Sequence, residues 1–250
     1  MSDTTATAPA TTAPGEAHAI LKDAHSRSYR FPEGFHGFTA DVTITRAAGD
    51  EVTTASGTAT VAGPRAIQVA LVGDEALAGW VKQELASMAG HRWPTSYEES
   101  DGRYELTLGE DGDHPLGPEL TFRNDPFSSA YRVTDGAISQ VTRSMGPMRF
   151  TITMLRHEPA ADGRMLPSEF TVSYWNTKEG RLVRADGYRD RYAEVDGVSV
   201  PAERTVITAE DGGFTTHRMA IANVRLLTEP AEVAPDGNGA GAHRHGTRAG

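Results

Sequence analysis

The stretch Glu16–Ile44, EAHAILKDAHSRSYRFPEGFHGFTADVTI, decides the fold. Its first part, 16–29, places Ala17, Ile20, Leu21 and Ala24 at i, i+3, i+4 and i+7, with Lys22, Asp23 and Arg27 left for water. That spacing predicts an amphipathic helix. The turn FPEGFHG follows, and from Phe38 the chain alternates as FTADVTI. Period-two alternation marks a half-buried strand, so the helix leads directly into a sheet.

Working outward, alternating or β-rich runs recur at 37–46, 51–62, 65–72, 95–100, 103–109, 119–124, 129–134, 137–145, 148–157, 168–176, 181–195, 198–209 and 214–227. Asp-Gly dipeptides punctuate them at 101–102, 111–112, 135–136, 162–163, 186–187, 196–197 and 211–212. Asp-Gly suits tight hairpins because both central residues of a type I′ turn take positive φ. A meander of sequence neighbours is expected. One further helix interrupts it at 75–89, with Leu77, Trp80, Val81, Leu85 and Met88 on one side, Asp74 as N-cap and Gly90 as stop. Both helices are expected on one concave sheet face, giving a mainly β, α+β chain.

Two segments carry a resemblance. They are GFHGFTADVTITRAAGDEVTTASGTATV at 34–61 and YAEVDGVSVPAERTVITAEDGGFTTHRMAIANVRL at 192–226. With the preceding helix they resemble the LolA-like half-barrel of lipoprotein carriers. From about Ala17 to Leu227 the chain is also similar to a bacterial family, found in cyanobacteria and actinobacteria, known only as a domain of unknown function. The resemblance implies a curved antiparallel sheet forming an open half-barrel, helices packed on its concave face, and a cavity for acyl chains.

Composition narrows the classes. A net charge of −10 and a pI near 5.4 argue against nucleic acid and anionic membrane surfaces, whose phosphates require Lys and Arg. Without Cys there are no disulfides, thiolate nucleophiles or Cys-based metal centres. No run approaches the roughly twenty apolar residues of a membrane-spanning helix. Residues 1–15 show neither the basic nor the apolar region of an export signal, which predicts a cytoplasmic protein. One domain is expected over 16–228, between disordered tails at 1–15 and 229–250.

Candidate site residues follow from the alternation. Met148, Phe150, Ile152 and Met154 share one side of the 148–157 strand, just after Met145. Methionine adapts to irregular ligands, so Met145, Met148, Phe150, Met154 and Met219, with Trp80 and Trp175, are candidates for the lining of an apolar cavity. The competing reading is an ordinary core. Arg143 and Arg189 are candidates for holding a carboxylate or phosphate head group at its mouth. Against this, the mixed faces of RLVRADGYRDRYAEV (181–195) also fit a solvated edge strand.

The histidines offer chemistry of another kind. His217 shares a face with Thr215, Met219 and Ile221; His157 ends the Met-rich strand; His91 follows the second helix; His36 lies in the aromatic turn. None has His-x-His or His-x-x-x-His spacing within one element, and His243-Arg244-His245 falls in the tail. No nucleophile elbow, phosphate loop or HExxH motif occurs. The residues name no particular cofactor or metal, and both are left open. Two readings stand: a binding protein for an apolar or amphipathic small molecule, or an enzyme of a specialised-metabolite pathway using His217, His157 or His91 as base or metal ligand.

Overall fold

A computed structural model describes residues 14–231, so the expected tails, with His243 and His245, lie almost wholly outside the described residues. Helix α1 (Pro14–Arg27) precedes β1 (Phe38–Ala48), β2 (Glu51–Val61) and β3 (Ile67–Leu71), and α2 (Glu75–Arg92) separates these from the remaining strands. Those are β4 (Glu105–Leu108), β5 (Glu119–Arg123), β6 (Ala130–Thr134), β7 (Ala137–Met145), β8 (Met148–Pro159), β9 (Met165–Asn176), β10 (Arg181–Val195), β11 (Val198–Glu210) and β12 (Gly213–Leu226).

All twelve strands form one sheet, in the order β3-β2-β1-β12-β11-β10-β9-β8-β7-β6-β5-β4. Sequence neighbours pair as a meander predicts, and the single long-range pairing joins β1 to β12. The sheet stays open, with β3 and β4 at its edges. Asp135-Gly136, Asp196-Gly197 and Asp211-Gly212 take positive φ at both residues and turn β6–β7, β10–β11 and β11–β12. Bulges in five strand pairs bend the sheet.

Register identifies the concave face. Ile44 opposes Met219, Met219 opposes Arg204 and Arg204 opposes Asp190. Two residues along, Tyr188 opposes Phe170 and Phe170 opposes Met154; nearby, Ile152 opposes Val141, Val141 opposes Tyr131 and Tyr131 opposes Leu120. Paired residues point the same way, so these form one continuous surface.

Each helix seals one end of that surface. Leu77, Val81, Leu85 and Met88 of α2 pack on Phe38, Val42, Ile44, Ala59, Val61, Ile67 and Met219. Ala17, Leu21 and Ala24 of α1 pack on Leu106, Leu120, Phe122, Tyr131 and Val133. A buried Leu contributes about 1.5–3 kcal/mol, so both helices are anchored chiefly by these stripes. A third core, of Tyr29, Phe31, Leu166, Val198 and Val200, closes one end of the trough. Among the described residues no helix is long and apolar enough to cross a membrane.

Three local expectations change. Helix α2 begins at its Asp74 cap, which accepts from the Leu77 amide at 3.0 Å, but runs past Gly90 to Arg92, whose guanidinium donates to the Met88 carbonyl at 2.9 Å. Residues 95–100 form turns rather than a strand, because the Ser96, Glu99 and Ser100 side chains bond the local backbone. Strand β10 is no edge: it lies between β9 and β11, with Asp186 and Asp190 buried on its concave side.

Candidate functional site

Between the helices the concave face is treated differently from its ends. Phe150, Ile152 and Met154 of β8, Phe170 and Tyr174 of β9, and Tyr188 of β10 are only half-covered and belong to none of the three cores. They form an apolar floor. The Phe170 and Tyr188 rings stack 4.5 Å apart, and Phe150 and Tyr174 lie tilted at 6.1 Å. Helix α2 forms one wall, presenting Trp80, Glu84 and His91 along a single stripe. At the closed end Phe31 stacks on Phe35 at 4.1 Å, and Trp93 meets both edge-on. At the rim of the sheet the β10 start and the β11–β12 hairpin line a cleft of about 370 Å³, bounded by Arg184 and Glu210 from the concave side and by Leu182 and Phe214 from the convex side.

A charged network crosses the floor beside α2. Arg204 donates from Nε to Asp190 Oδ1 at 2.7 Å, from Nη2 to Asp190 Oδ2 at 2.5 Å and from Nη1 to Glu84 Oε2 at 2.8 Å. Arg184 donates from Nε to both oxygens of Asp186, at 2.8 and 3.0 Å. Arg92 bonds the Tyr192 hydroxyl, which donates to the Pro167 carbonyl at 2.6 Å. Buried charges persist when each is paired and hydrogen-bonded, and these guanidinium forks meet that demand. The network also ties α2 to the sheet through Glu84.

Several buried polar atoms nevertheless lack a protein partner. His217 Nδ1, Ser168 Oγ and Arg143 Nε sit at concave strand positions, Arg92 Nε on the sheet side of α2, and Arg30 Nε beside the end of that helix. Unpartnered buried polar groups are uncommon in folded proteins. Here they gather around one surface.

The structure places the sequence-predicted residues as follows. Trp80, Arg143, Phe150, Met154 and Met219 lie on or over the concave face, although Met219 is fully buried in the core under α2. Met145 and Met148 pair with each other at the β7–β8 hairpin. Trp175 and Arg189 point the other way. Trp175 pairs with Leu182 on the convex face and is 40% exposed, while Arg189 is exposed beside Glu169 at 3.7 Å. Alternation across the bulge near Leu182 and the strict period along β10 put both on the outer side.

The three candidate histidines occupy separate environments. His217 stacks on Trp80 at 4.6 Å, nearly parallel. His91 is accessible to solvent at the end of α2, yet crowding by protein and the charges of Arg92, Arg143, Arg204 and Arg30 push its pKa down to about 4. His157 pairs with Pro167 beyond the β8 bulges. Among the described residues no group of three or more His, Asp or Glu is arranged to hold a metal ion. Arg30, Glu84, Arg92, Asp101, Phe170, Tyr188 and Arg204 escaped the sequence reading. An Arg at an inward position of the alternating run VPAERTVIT was the available signal for Arg204.

His217 has a pH consequence. Burial, then Arg46 and Arg184, hold its pKa below the ordinary value of 6.5, against the opposing pull of Asp186. The unfolded chain therefore takes up a proton here before the folded chain does. The stabilisation from neutral His217 is present above about pH 6.5 and is lost as pH falls toward its folded pKa. His217→Phe keeps a ring against Trp80 and removes the proton. Urea unfolding of that variant is expected to show a shallower loss of stability between pH 7 and pH 5 than the parent. Identical slopes would exclude His217 as a contributor.

A LolA superfamily protein from Nitrosomonas europaea matches with a TM-score of 0.33 and 14% identity, covering 86% of this chain and 94% of its own. A DUF1329 family protein from Desulfovibrio piger matches at 0.30 and 11% identity, covering 88% and 96%. A domain named for outer membrane lipoprotein sorting, from Vibrio parahaemolyticus, matches at 0.39 and 10% identity, again covering 88% and 96%. No curated protein matches in sequence. A family model described as a protein of unknown function, DUF3386, matches residues 12–227, and the chain belongs to that family.

Proposed function

We propose that this protein is a binding module that holds an apolar or amphipathic small molecule against the floor between α1 and α2. One observation carries the reading: a single concave surface is sealed at both ends by helices, yet leaves Phe150, Ile152, Met154, Phe170 and Tyr188 half-covered in the middle. Removing apolar surface from water gains about 25 cal/mol per Å², so a chain laid along this floor gains what the protein's own side chains leave unclaimed. Polar groups at the margins, Arg143 and His91 among them, suit an amphiphile better than a pure hydrocarbon. A cytoplasmic setting is part of the proposal, and the cysteine-free composition permits it.

Native mass spectrometry of protein purified without detergent from its own source tests the reading, with metal analysis of the same sample. The expected result is a lipid-like mass that leaves on mild activation. A bare chain that also fails to take up dodecyl amphiphiles in solution would overturn it. Stoichiometric copper, iron or zinc would turn the assignment toward an enzyme.

A further inference from the structure

We propose that the concavity selects amphiphiles with an anionic head, a carboxylate or a phosphate, which Arg143 and Arg30 receive while the chain lies on Phe150, Ile152, Met154 and Phe170. The inference rests on the binding reading above and adds the chemistry of the head group. The guanidiniums of the concavity are unevenly partnered. Arg204 is held by Asp190 and Glu84, Arg184 by Asp186, and Arg92, although its Nε is unpartnered, has Asp190 at 4.0 Å besides the Met88 carbonyl and the Tyr192 hydroxyl. Arg143 and Arg30 have no carboxylate at ion-pair distance among the described residues.

Arg143 donates to the Tyr131 hydroxyl at 2.7 Å, a neutral partner, and its Nε is buried without one. The rings of Phe127 and Tyr131, 5.7 and 5.9 Å from the guanidinium carbon, hold it in place. Arg30 reaches the His91 carbonyl at 3.3 Å, and its Nε is likewise buried and unpartnered. A guanidinium offers five donors, and a carboxylate or phosphate accepts two at once from such a fork.

Position supports the same reading. Arg143 opposes Phe150 in register, so the two side chains leave the sheet on the same face, the guanidinium turning toward Tyr131 and Phe127 at the margin of the floor. Asp101 lies within electrostatic reach of both arginines, with Arg103 and Asp125 beyond, and burial pushes its carboxyl up. His91, its pKa pushed down to about 4, brings a ring nitrogen near both arginines without adding charge near pH 7. In a chain of net charge −10, two cations without a carboxylate at ion-pair distance, both within electrostatic reach of His91 and Asp101, are a local exception. An anion entering here meets donors already dehydrated and oriented, which is where charge-assisted bonds are strongest.

Calorimetric titration of the full chain with dodecanoate, dodecyl phosphate and uncharged monododecanoylglycerol, all below their micelle concentrations, tests the proposal. Both anions are expected to bind at least about tenfold tighter than the uncharged glyceride. In Arg143→Gln and Arg30→Gln that preference should shrink several-fold, while Arg143→Lys keeps part of it. Circular dichroism melts show that each variant is folded, and the lysine variant serves if the glutamine one is not. Equal affinity for anionic and uncharged ligands would overturn the head-group assignment and leave the binding module standing. An anion preference that survives both glutamine variants would also overturn it. Failure of all three ligands to bind would overturn the binding reading and this inference together. A preference for dodecyl phosphate over dodecanoate, or the reverse, names the natural head.

Discussion

Arg204→Ala is expected to cost about 3–5 kcal/mol of folding stability, the range for breaking a buried ion pair by removing one partner. Its guanidinium is almost fully buried and holds Asp190, whose side chain has no exposure at all, through two bonds of 2.7 and 2.5 Å. Without it, Asp190 keeps only Arg92 at 4.0 Å and the Tyr192 hydroxyl at 3.3 Å, and Glu84 loses its anchor to the sheet. Urea unfolding followed by tryptophan fluorescence reports the change. Arg204→Lys should fall between parent and Ala, because an ammonium restores charge but not the two-pronged geometry. Replacing Arg204, Asp190 and Glu84 together with apolar residues of similar volume should cost less than Arg204→Ala alone, since neither carboxylate is then stranded and Arg92 keeps the Met88 carbonyl and the Tyr192 hydroxyl. A loss below about 1 kcal/mol for Arg204→Ala would show that water reaches this network and screens it.

Met154→Glu is expected to reduce affinity for dodecyl amphiphiles by about a hundredfold or more while leaving the fold largely intact. A carboxylate on the floor must lose its water when a chain covers it, a penalty of several kcal/mol without a partner. The folded chain itself pays little, because Met154 is half-covered and outside every core. The same substitution at Leu120, fully buried beneath α1, should prevent folding. Titration calorimetry and thermal melts together separate the two effects. If Met154→Glu fails to fold as Leu120→Glu does, the floor is core and not a ligand surface.

The contrast between those two positions shows what was legible beforehand. Leu120 and Met154 both sit in alternating runs, and periodicity assigns each an inward face without saying what lies above it. The Met-rich side of β8 was readable as apolar; whether a helix covers it depends on where α1 and α2 dock. The stripes Ala17-Leu21-Ala24 and Leu77-Val81-Leu85-Met88 were equally readable, and both do face the sheet. Charged positions were less legible. The face of β10 carrying Asp186 and Asp190 suits an exposed edge when read alone, and its burial follows from neighbours on both sides. Asp190 finds its partner 14 residues away and that partner reaches Glu84 across 120, distances over which no local pattern carries information.

By itself the sequence determined the helices, most of the strands, the hairpin turns set by Asp-Gly, and the mainly β class, because these depend on spacing within a dozen residues and on the φ that each turn residue tolerates. Only the tertiary structure decided that β1 pairs with β12, that Trp175 and Arg189 turn outward, and that Arg143 and Arg30 stand incompletely partnered. Those outcomes depend on long-range pairing and on bulges that shift register by one residue, and each such shift exchanges the inner and outer faces of the strand beyond it.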